Sequence, residues 1–249
     1  MRTPILPIKE FRKFKRFLPV SRGKKRCNDL LTISGIIFVL ANGIPWRHLP
    51  EKYGSWATVY SRFNRWSTSG VWRAIFEKLR AKVLRGQIAM IDSTTIKAHR
   101  TSASMRSDKK PRLIGRSRGG LTTKIHFLCT EDRIPIDFMV TEGQVSDIKA
   151  APALLAKNTK YMSKLLGDKG YDSDSFRAQL RDKGIEPCIP GRASRKEPIE
   201  YDKELYKKRS RIENMFGSLK DWRGIATRYS RCAHTCQSAI CIAMINLFF

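Results

Sequence analysis

Hydrophobic residues recur at spacings of three and four along the first third of the chain, which is typical of amphipathic helices. The stretch NDLLTISGIIFVLANG begins at Asn28, a good N-cap, and stops at Gly43. The same pattern predicts a second helix over residues 55–70 and a third over residues 71–84. Three short helices in this order resemble a helix-turn-helix module, so we predict a small all-α DNA-binding domain over residues 28–86.

Beyond residue 86 the pattern changes to short extended runs that alternate with helices. The predicted order is strand, hairpin, helix, strand, helix, strand and helix, over residues 87–93, 121–143, 147–157, 161–166, 173–183, 186–191 and from Asp202 onward. This order describes a mixed sheet with helices on its faces. We therefore predict an α/β domain over residues 87–249.

Two segments lack this regular pattern. The first 26 residues hold ten Lys or Arg against one Glu, so residues 1–27 are expected to form a loosely ordered basic arm and linker. Residues 100–120 have almost no apolar content, and a loop of this length inside a domain is usually functional or disordered.

Composition narrows the choice of partner. The 249 residues include 49 Lys or Arg and 22 Asp or Glu, which gives a formal net charge of +27. Such an excess points to a phosphate backbone or an anionic membrane surface. No apolar run reaches the roughly 18–20 residues that a membrane span requires, and no secretory signal is recognisable. We expect double-stranded DNA as the partner, no membrane, and a cytoplasmic, nucleoid-associated protein.

Basic residues on the predicted helices and in the polar loop are candidate DNA contacts. They include Arg62 and Arg65 in the second helix and Arg116 and Arg118 in the loop. Such contacts would add mostly nonspecific, salt-dependent affinity. The alternative is a small helical bundle whose basic face is merely solvated.

Three carboxylates are candidates for chemistry. Asp92 ends the first strand and Asp168 ends the strand after the first helix of the α/β domain, so both are expected at the edge of the sheet where ligands bind. Glu213 lies on the last predicted helix. Taken singly, each aspartate is explained equally well as a turn or cap residue.

The helix that carries Glu213 also carries Tyr206, Arg209 and Lys220. Relative to Tyr206 these residues follow at offsets of 3, 7 and 14, which places all four on one face. An acid flanked by bases on this face could line a functional site, but an ordinary helical ion pair between Arg209 and Glu213 explains the pattern equally well.

Three acids beside a polyanion would repel it unless divalent cations lie between them. Mg²⁺ binds carboxylate and phosphate oxygens together. Two such ions can activate a water or a 3′ hydroxyl and stabilise the leaving oxygen of a phosphodiester. We expect Asp92, Asp168 and Glu213 to bind Mg²⁺ or Mn²⁺, as two ions.

At these residues the chain resembles the DDE transposases of the insertion sequence five family. The similar blocks are IDSTTIKAHR around Asp92, GRSRGGLTTKIH, TEGQVSDI, GDKGYDS around Asp168, and the signature Tyr206-x2-Arg209-x3-Glu213-x6-Lys220. The segment GIPWRHLPEKYGSWATVYSRFNRWSTSGVW resembles the N-terminal helix-turn-helix of the family. One departure is Lys169, where related proteins often have a small residue; the aspartate before it is retained.

The resemblance implies an RNase H-like catalytic core, a metal-binding triad of Asp92, Asp168 and Glu213, and DNA transposition at terminal inverted repeats. It also implies that Tyr206, Arg209 and Lys220 contact DNA near the cleavage site, and that the chain acts as a homo-oligomer on DNA.

Two alternative functions stay open at this point. One is a DNA-binding protein without catalysis, either a helix-turn-helix repressor or an inactive transposase relic. The other is a metal-dependent nuclease with the same fold that does not transpose. A recognition domain ahead of the core favours transposition over the nuclease, because a simple nuclease needs no sequence reader.

Overall fold

A computed structural model of the chain describes residues 5–19, 28–84, 88–104 and 112–249. The helices are α1 (Ile8–Lys15), α2 (Asp29–Asn42), α3 (Trp56–Thr68), α4 (Val71–Val83), α5 (Arg100–Ala103), α6 (Asp147–Leu155), α7 (Asp174–Arg181), α8 (Lys203–Lys207), α9 (Ser210–Lys220), α10 (Arg223–Ala226) and α11 (Ala233–Phe248). The strands are β1 (Ile88–Ala98), β2 (Gly115–Ser117), β3 (Gly120–Thr130), β4 (Pro135–Glu142), β5 (Lys164–Leu166), β6 (Glu186–Cys188) and β7 (Thr227–Arg228). The predicted mixed α/β architecture, preceded by helices, is confirmed.

The strands form one seven-stranded sheet in the order β2-β3-β1-β5-β6, in which β4 also pairs with β3 and β7 with β1. β1 pairs antiparallel with β3 and parallel with β5, so the sheet is mixed. β3 and β4 form the predicted hairpin. β1 and β5 run parallel as neighbours, but β5 ends at Leu166, opposite Met90, whereas β1 continues to Ala98. The expectation that Asp92 ends the first strand is therefore wrong: Asp92 lies within β1, because pairing with β3 extends that strand to Lys97 and beyond.

The helix predicted from Asn28 is central to the fold. The Asn28 side chain accepts a hydrogen bond from the Leu30 amide at 2.9 Å, and the helix stops at Gly43, whose φ is +65°. A Cβ at Gly43 would lie 2.9 Å from the Arg223 Cβ, so both conformation and space favour glycine there. Residues 32–41 are all buried, because α3, α10 and α11 pack around α2. Although α2 and α11 are strongly apolar, no helix in the described ranges is long and apolar enough to cross a membrane.

Two hydrophobic cores lie on opposite faces of the sheet, because strand residues alternate between them. The first core combines Met90 and Phe127 with side chains from α2, α3, α4, α9 and α11. The second combines Ala89 and Ile91 with side chains from α6 and α7. The amino-terminal helices therefore share a core with the sheet and the C-terminal helix. The predicted domain boundary after residue 86 stays a prediction.

Part of the amino-terminal arm is ordered, contrary to the expectation of a loose segment. α1 buries Phe14, which packs edge-on against Trp72 with 6.3 Å between ring centroids. The Leu6 amide donates a hydrogen bond to Ser34 Oγ at 2.9 Å. The apolar residues of this basic segment thus supply the contacts that order it. Residues 1–4 and 20–27 of the arm, and 105–111 of the polar loop, lie outside the described residues.

Candidate active site

Asp92 and Asp168 come from neighbouring parallel strands. The register of β1 and β5 pairs Met90 with Leu166. Asp92 lies two residues beyond that pair within β1, and Asp168 lies two residues beyond it, after the end of β5. Asp92 is also opposite Phe127 of β3, which belongs to the first core. Directly paired residues share a face of a sheet, so the Asp92 side chain lies on the face covered by α9.

Asp92 is a buried carboxylate with two donors. Its oxygens accept hydrogen bonds from the Ser93 amide at 2.7 Å and from Arg209 Nη1 at 2.9 Å, and 19% of its side chain is exposed. Burial raises the pKa of Asp92 to about 6, although the Ser93 amide and Arg209 oppose the increase. Asp168 and Asp147 raise the pKa further through their negative charges. An additional cation beside Asp92 would therefore stabilise the charged form of this carboxylate.

Asp168 opens a single 3₁₀ turn over Lys169–Tyr171 directly after β5. Its Oδ1 accepts a hydrogen bond from the Gly170 amide at 2.8 Å. Asp168 therefore caps a turn, which is the structural role that the sequence also suggested for an aspartate considered alone. The turn also holds the residue at the carboxyl end of β5, beside Asp92.

Glu213 reaches the same edge from α9. The helix buries Ile212, Met215, Phe216 and Leu219 on the first core and leaves Glu213 57% exposed. Arg209 Nη2 lies 2.7 Å from Glu213 Oε1, so one guanidinium contacts both Asp92 and Glu213. Asp168 is close enough to act electrostatically on both Asp92 and Arg209. One positive group thus contacts a carboxylate from β1 and a carboxylate from α9, with the Asp168 carboxylate close enough to act on it electrostatically.

The predicted continuous helix around Arg209 is interrupted. α8 ends at Lys207 and α9 begins at Ser210, with Arg209 in a helical conformation at the junction. Tyr206 lies on α8, where its ring is 5.8 Å from the Arg209 guanidinium carbon and 5.4 Å from the Tyr201 ring. Lys220 is the exposed last residue of α9.

The oxygen donors of this site suit a hard divalent cation, and Arg209 already provides positive charge between two of them. In the described part of the chain no three His, Cys, Asp or Glu residues are grouped tightly enough to hold a metal ion. The structure therefore does not bring Asp92, Asp168 and Glu213 together as a metal-binding group, and the Arg209 guanidinium lies between Asp92 and Glu213.

The other predicted DNA contacts lie away from the carboxylates. Arg62 forms an ion pair with Asp29 and stacks over Trp66 at 5.3 Å, so only 12% of its side chain is exposed. Arg65, one turn further along α3, is exposed. Arg116 on β2 and Arg118 in the turn before β3 are also exposed.

A polar cluster on the other face of the sheet was not expected from the sequence. Asp147, at the start of α6, lies 3.2 Å from Lys124 Nζ and 3.5 Å from His126 Nδ1. His126 is 1% exposed, and burial lowers its pKa to about 4. The sequence contained no signal for this cluster. The alternation of apolar and polar residues along 121–129 places His126 on the polar side of the hairpin, but β3 is buried on both faces.

Comparisons with known proteins show the family of this chain. Residues 84–247 match the family model of the transposase DDE domain, and residues 6–76 match a model for transposases of the IS4/5 family. A Sinorhizobium fredii protein, y4sN, is 31% identical over 107 residues, which cover 42% of this chain and 85% of that protein. A 16.2 kDa protein of insertion element IS402 from Burkholderia cepacia is 34% identical over 102 residues, 38% of this chain and 66% of that protein.

The fold also resembles a solved transposase. The piggyBac transposase, in a synaptic complex with hairpin DNA, superimposes with a TM-score of 0.54 at 8% identity, covering 94% of this chain and 69% of that one. This similarity agrees with the expected RNase H-like core. Because the DDE domain model spans most of the chain, from β1 to α11, the protein is a member of the transposase DDE domain family.

Proposed function

We propose that the protein binds the terminal inverted repeats of an insertion sequence and catalyses DNA cleavage and strand transfer there. The proposed catalytic acids are Asp92, Asp168 and Glu213. The observation that supports this most directly is the contact of one guanidinium, that of Arg209, with carboxylates from β1 and α9, beside the aspartate that follows β5. A purely structural ion pair would need one acid rather than three.

The three acids would hold Mg²⁺ or Mn²⁺, as two ions, because hard cations take carboxylate oxygens. When bound, the cations would activate the attacking water or 3′ hydroxyl and stabilise the leaving oxygen. Asp92 would supply oxygens from β1, Asp168 from the turn after β5, and Glu213 from a helix anchored in the first core. Arg209 is then free to exchange its carboxylate partners for a DNA phosphate.

Basic side chains around the acids would hold the DNA. Tyr206, Arg209 and Lys220 flank the acids along α8 and α9, while Arg116 and Arg118 extend from the sheet edge. Arginine suits bidentate contacts to phosphate, and lysine acts as a point charge. Arg65 on α3 is a candidate contact outside the active site. We further propose that the chain acts as a homo-oligomer, so that two element ends are brought together.

The proposal is tested with a duplex that carries the DNA flanking the coding sequence, incubated with Mg²⁺ or EDTA. Asp92→Ala, Asp168→Ala and Glu213→Gln should each lower the cleavage rate about 100-fold or more, while gel-shift affinity in EDTA stays close to that of the wild type. Glu204→Gln is the matched control, because Glu204 is an exposed acid of α8 paired with Lys207. Cleavage that persists in EDTA or in Asp92→Ala would remove the acids from the mechanism. DNA binding without any cleavage would favour the repressor or relic.

A further inference from the structure

The turn that carries Asp168 has little support of its own. It follows a three-residue strand, β5, and consists of one 3₁₀ turn over Lys169–Tyr171. Among the described residues, the Asp168 carboxylate accepts one hydrogen bond, from the Gly170 amide within the turn. The direction of the carboxylate therefore depends on whatever fixes this turn to the rest of the protein.

Arg192 holds the turn from outside. Its Nε donates to the Lys169 carbonyl at 3.1 Å and its Nη2 donates to the Gly170 carbonyl at 2.8 Å. Two parallel donors on one planar group fix the orientation of two consecutive peptides, which a single ammonium cannot do. The peptide between Lys169 and Gly170 also bears the amide that caps Asp168.

Arg192 is itself anchored by a buried carboxylate. Its backbone amide donates to Asp172 Oδ2 at 2.8 Å, and the side chain of Asp172 is 1% exposed. Arg195 donates to both oxygens of Asp172, at 2.6 and 2.9 Å, and Arg177 Nε donates to Oδ1 at 2.9 Å. Arg177 also donates to the Ile189 carbonyl at 2.7 Å. These bonds fasten the segment after β6 to both ends of the Asp168 turn.

We infer that Arg192 is a positioning residue that orients the Asp168 carboxylate for cation binding. The inference rests on the proposed function, since it assumes that Asp168 is a ligand. Arg192 is exposed, so burial of apolar surface does not explain why its side chain lies against the turn. Its contacts are directed at the two carbonyls beside the proposed ligand. Groups that orient metal ligands commonly change metal affinity about 10-fold or more when they are removed.

The test uses the full chain without DNA, with Mn²⁺ as the probe and its binding followed by electron paramagnetic resonance. Arg192→Ala should weaken Mn²⁺ binding about 10-fold, with thermal unfolding and DNA affinity in EDTA close to wild type. Arg192→Lys keeps the positive charge but lacks the two parallel N–H donors of the guanidinium, so it should also bind Mn²⁺ more weakly than the wild type. Free guanidinium, compared with sodium at equal ionic strength, should partly restore binding to Arg192→Ala. Arg181→Ala, an exposed arginine at the end of α7, is the matched control.

The inference is overturned if Arg192→Ala binds Mn²⁺ as Arg181→Ala does, or if Arg192→Lys binds it as well as the wild type. It is equally overturned if the loss of affinity appears only together with a matching loss of thermal stability. These results differ from failure of the proposed function. In that case Asp168→Ala would itself bind Mn²⁺ and cleave DNA like the wild type.

Discussion

Asp92 carries a charge that its surroundings oppose. Burial raises its pKa to about 6, and the Ser93 amide and Arg209 offset only part of that effect. A protonated carboxyl group is a poor ligand for a hard cation, because ligands must be deprotonated to bind. The ionisation of one side chain should therefore appear in both the activity and the stability of the protein.

We expect metal-dependent cleavage to increase about 10-fold per pH unit below pH 6 and to level off above it. The initial rate is measured from pH 5 to pH 8 at subsaturating Mg²⁺, because saturating metal would displace the proton from Asp92. DNA affinity in EDTA is measured over the same range as the control. A cleavage rate that does not change between pH 5 and pH 7 would contradict the assignment of Asp92.

The same pKa predicts how stability changes with pH. Because the folded value, about 6, exceeds the ordinary 3.8, Asp92 contributes stability that is present below pH 3.8 and is lost as the pH rises through 6. Asp92→Asn mimics the protonated form and should increase the free energy of unfolding at pH 7 by about 1–3 kcal/mol, with a smaller gain at pH 5. Urea denaturation at the two pH values measures this difference. Equal effects at both would argue against a raised pKa.

The elements differ in how far the sequence predicts them. Periodicity and caps were sufficient for α2, α3 and α4, because each keeps one local pattern along its length. The break between α8 and α9 has no local signal. There the Arg209 amide bonds to the Tyr206 carbonyl three residues earlier, while Lys208 Nζ reaches Glu131 at 2.7 Å. Contacts with distant residues decide such a break, and local propensity carries no information on them.

The candidate site likewise has a part that the sequence predicts and a part that depends on contacts between distant residues. Strand ends and residue types pointed to Asp92 and Asp168. Asp168 does follow the end of β5, but β1 continues past Asp92 to Ala98, because its pairing with β3 extends it. From the spacing of residues along α9, the sequence predicted only a local ion pair between Arg209 and Glu213. That Arg209 also contacts Asp92 depends on how α9 packs against β1. The roles of Arg192 and Asp172 depend on a loop fold that no periodicity describes.

Two arginines of α3 should separate stability from DNA affinity. Arg62 is largely covered in its ion pair with Asp29, whereas Arg65 is exposed. Arg62→Ala should lower the free energy of unfolding by about 2 kcal/mol, because it removes a charged hydrogen bond to a partly buried acid. Arg65→Ala should leave stability unchanged and weaken DNA binding severalfold. Urea denaturation and fluorescence anisotropy measure the two effects, and the opposite assignment would show that Arg62 is the DNA contact.

At the scale of the whole molecule, the two cores share the sheet between them. Ile240 of α11 is fully buried in the first core, and Leu154 of α6 is 4% exposed in the second. Ile240→Ala and Leu154→Ala should each cost about 3 kcal/mol and lower the midpoint of one common unfolding transition. Calorimetry and urea denaturation test this. Two transitions, each shifted by only one variant, would instead show that the helices and the α/β layer unfold independently.

The excess of basic residues should make DNA binding steeply dependent on salt, because each phosphate contact releases counterions. Arg118 is exposed in the turn before β3, whereas Arg181 lies on α7, which packs on the face of the sheet opposite α9. Arg118→Gln should reduce the slope of log affinity against log salt concentration by about 1 and weaken binding to all sequences alike. Arg181→Gln removes the same charge from α7 and should leave the slope unchanged. If both variants reduce the slope equally, the net charge of the molecule governs affinity, and the turn that carries Arg118 has no special part in holding DNA.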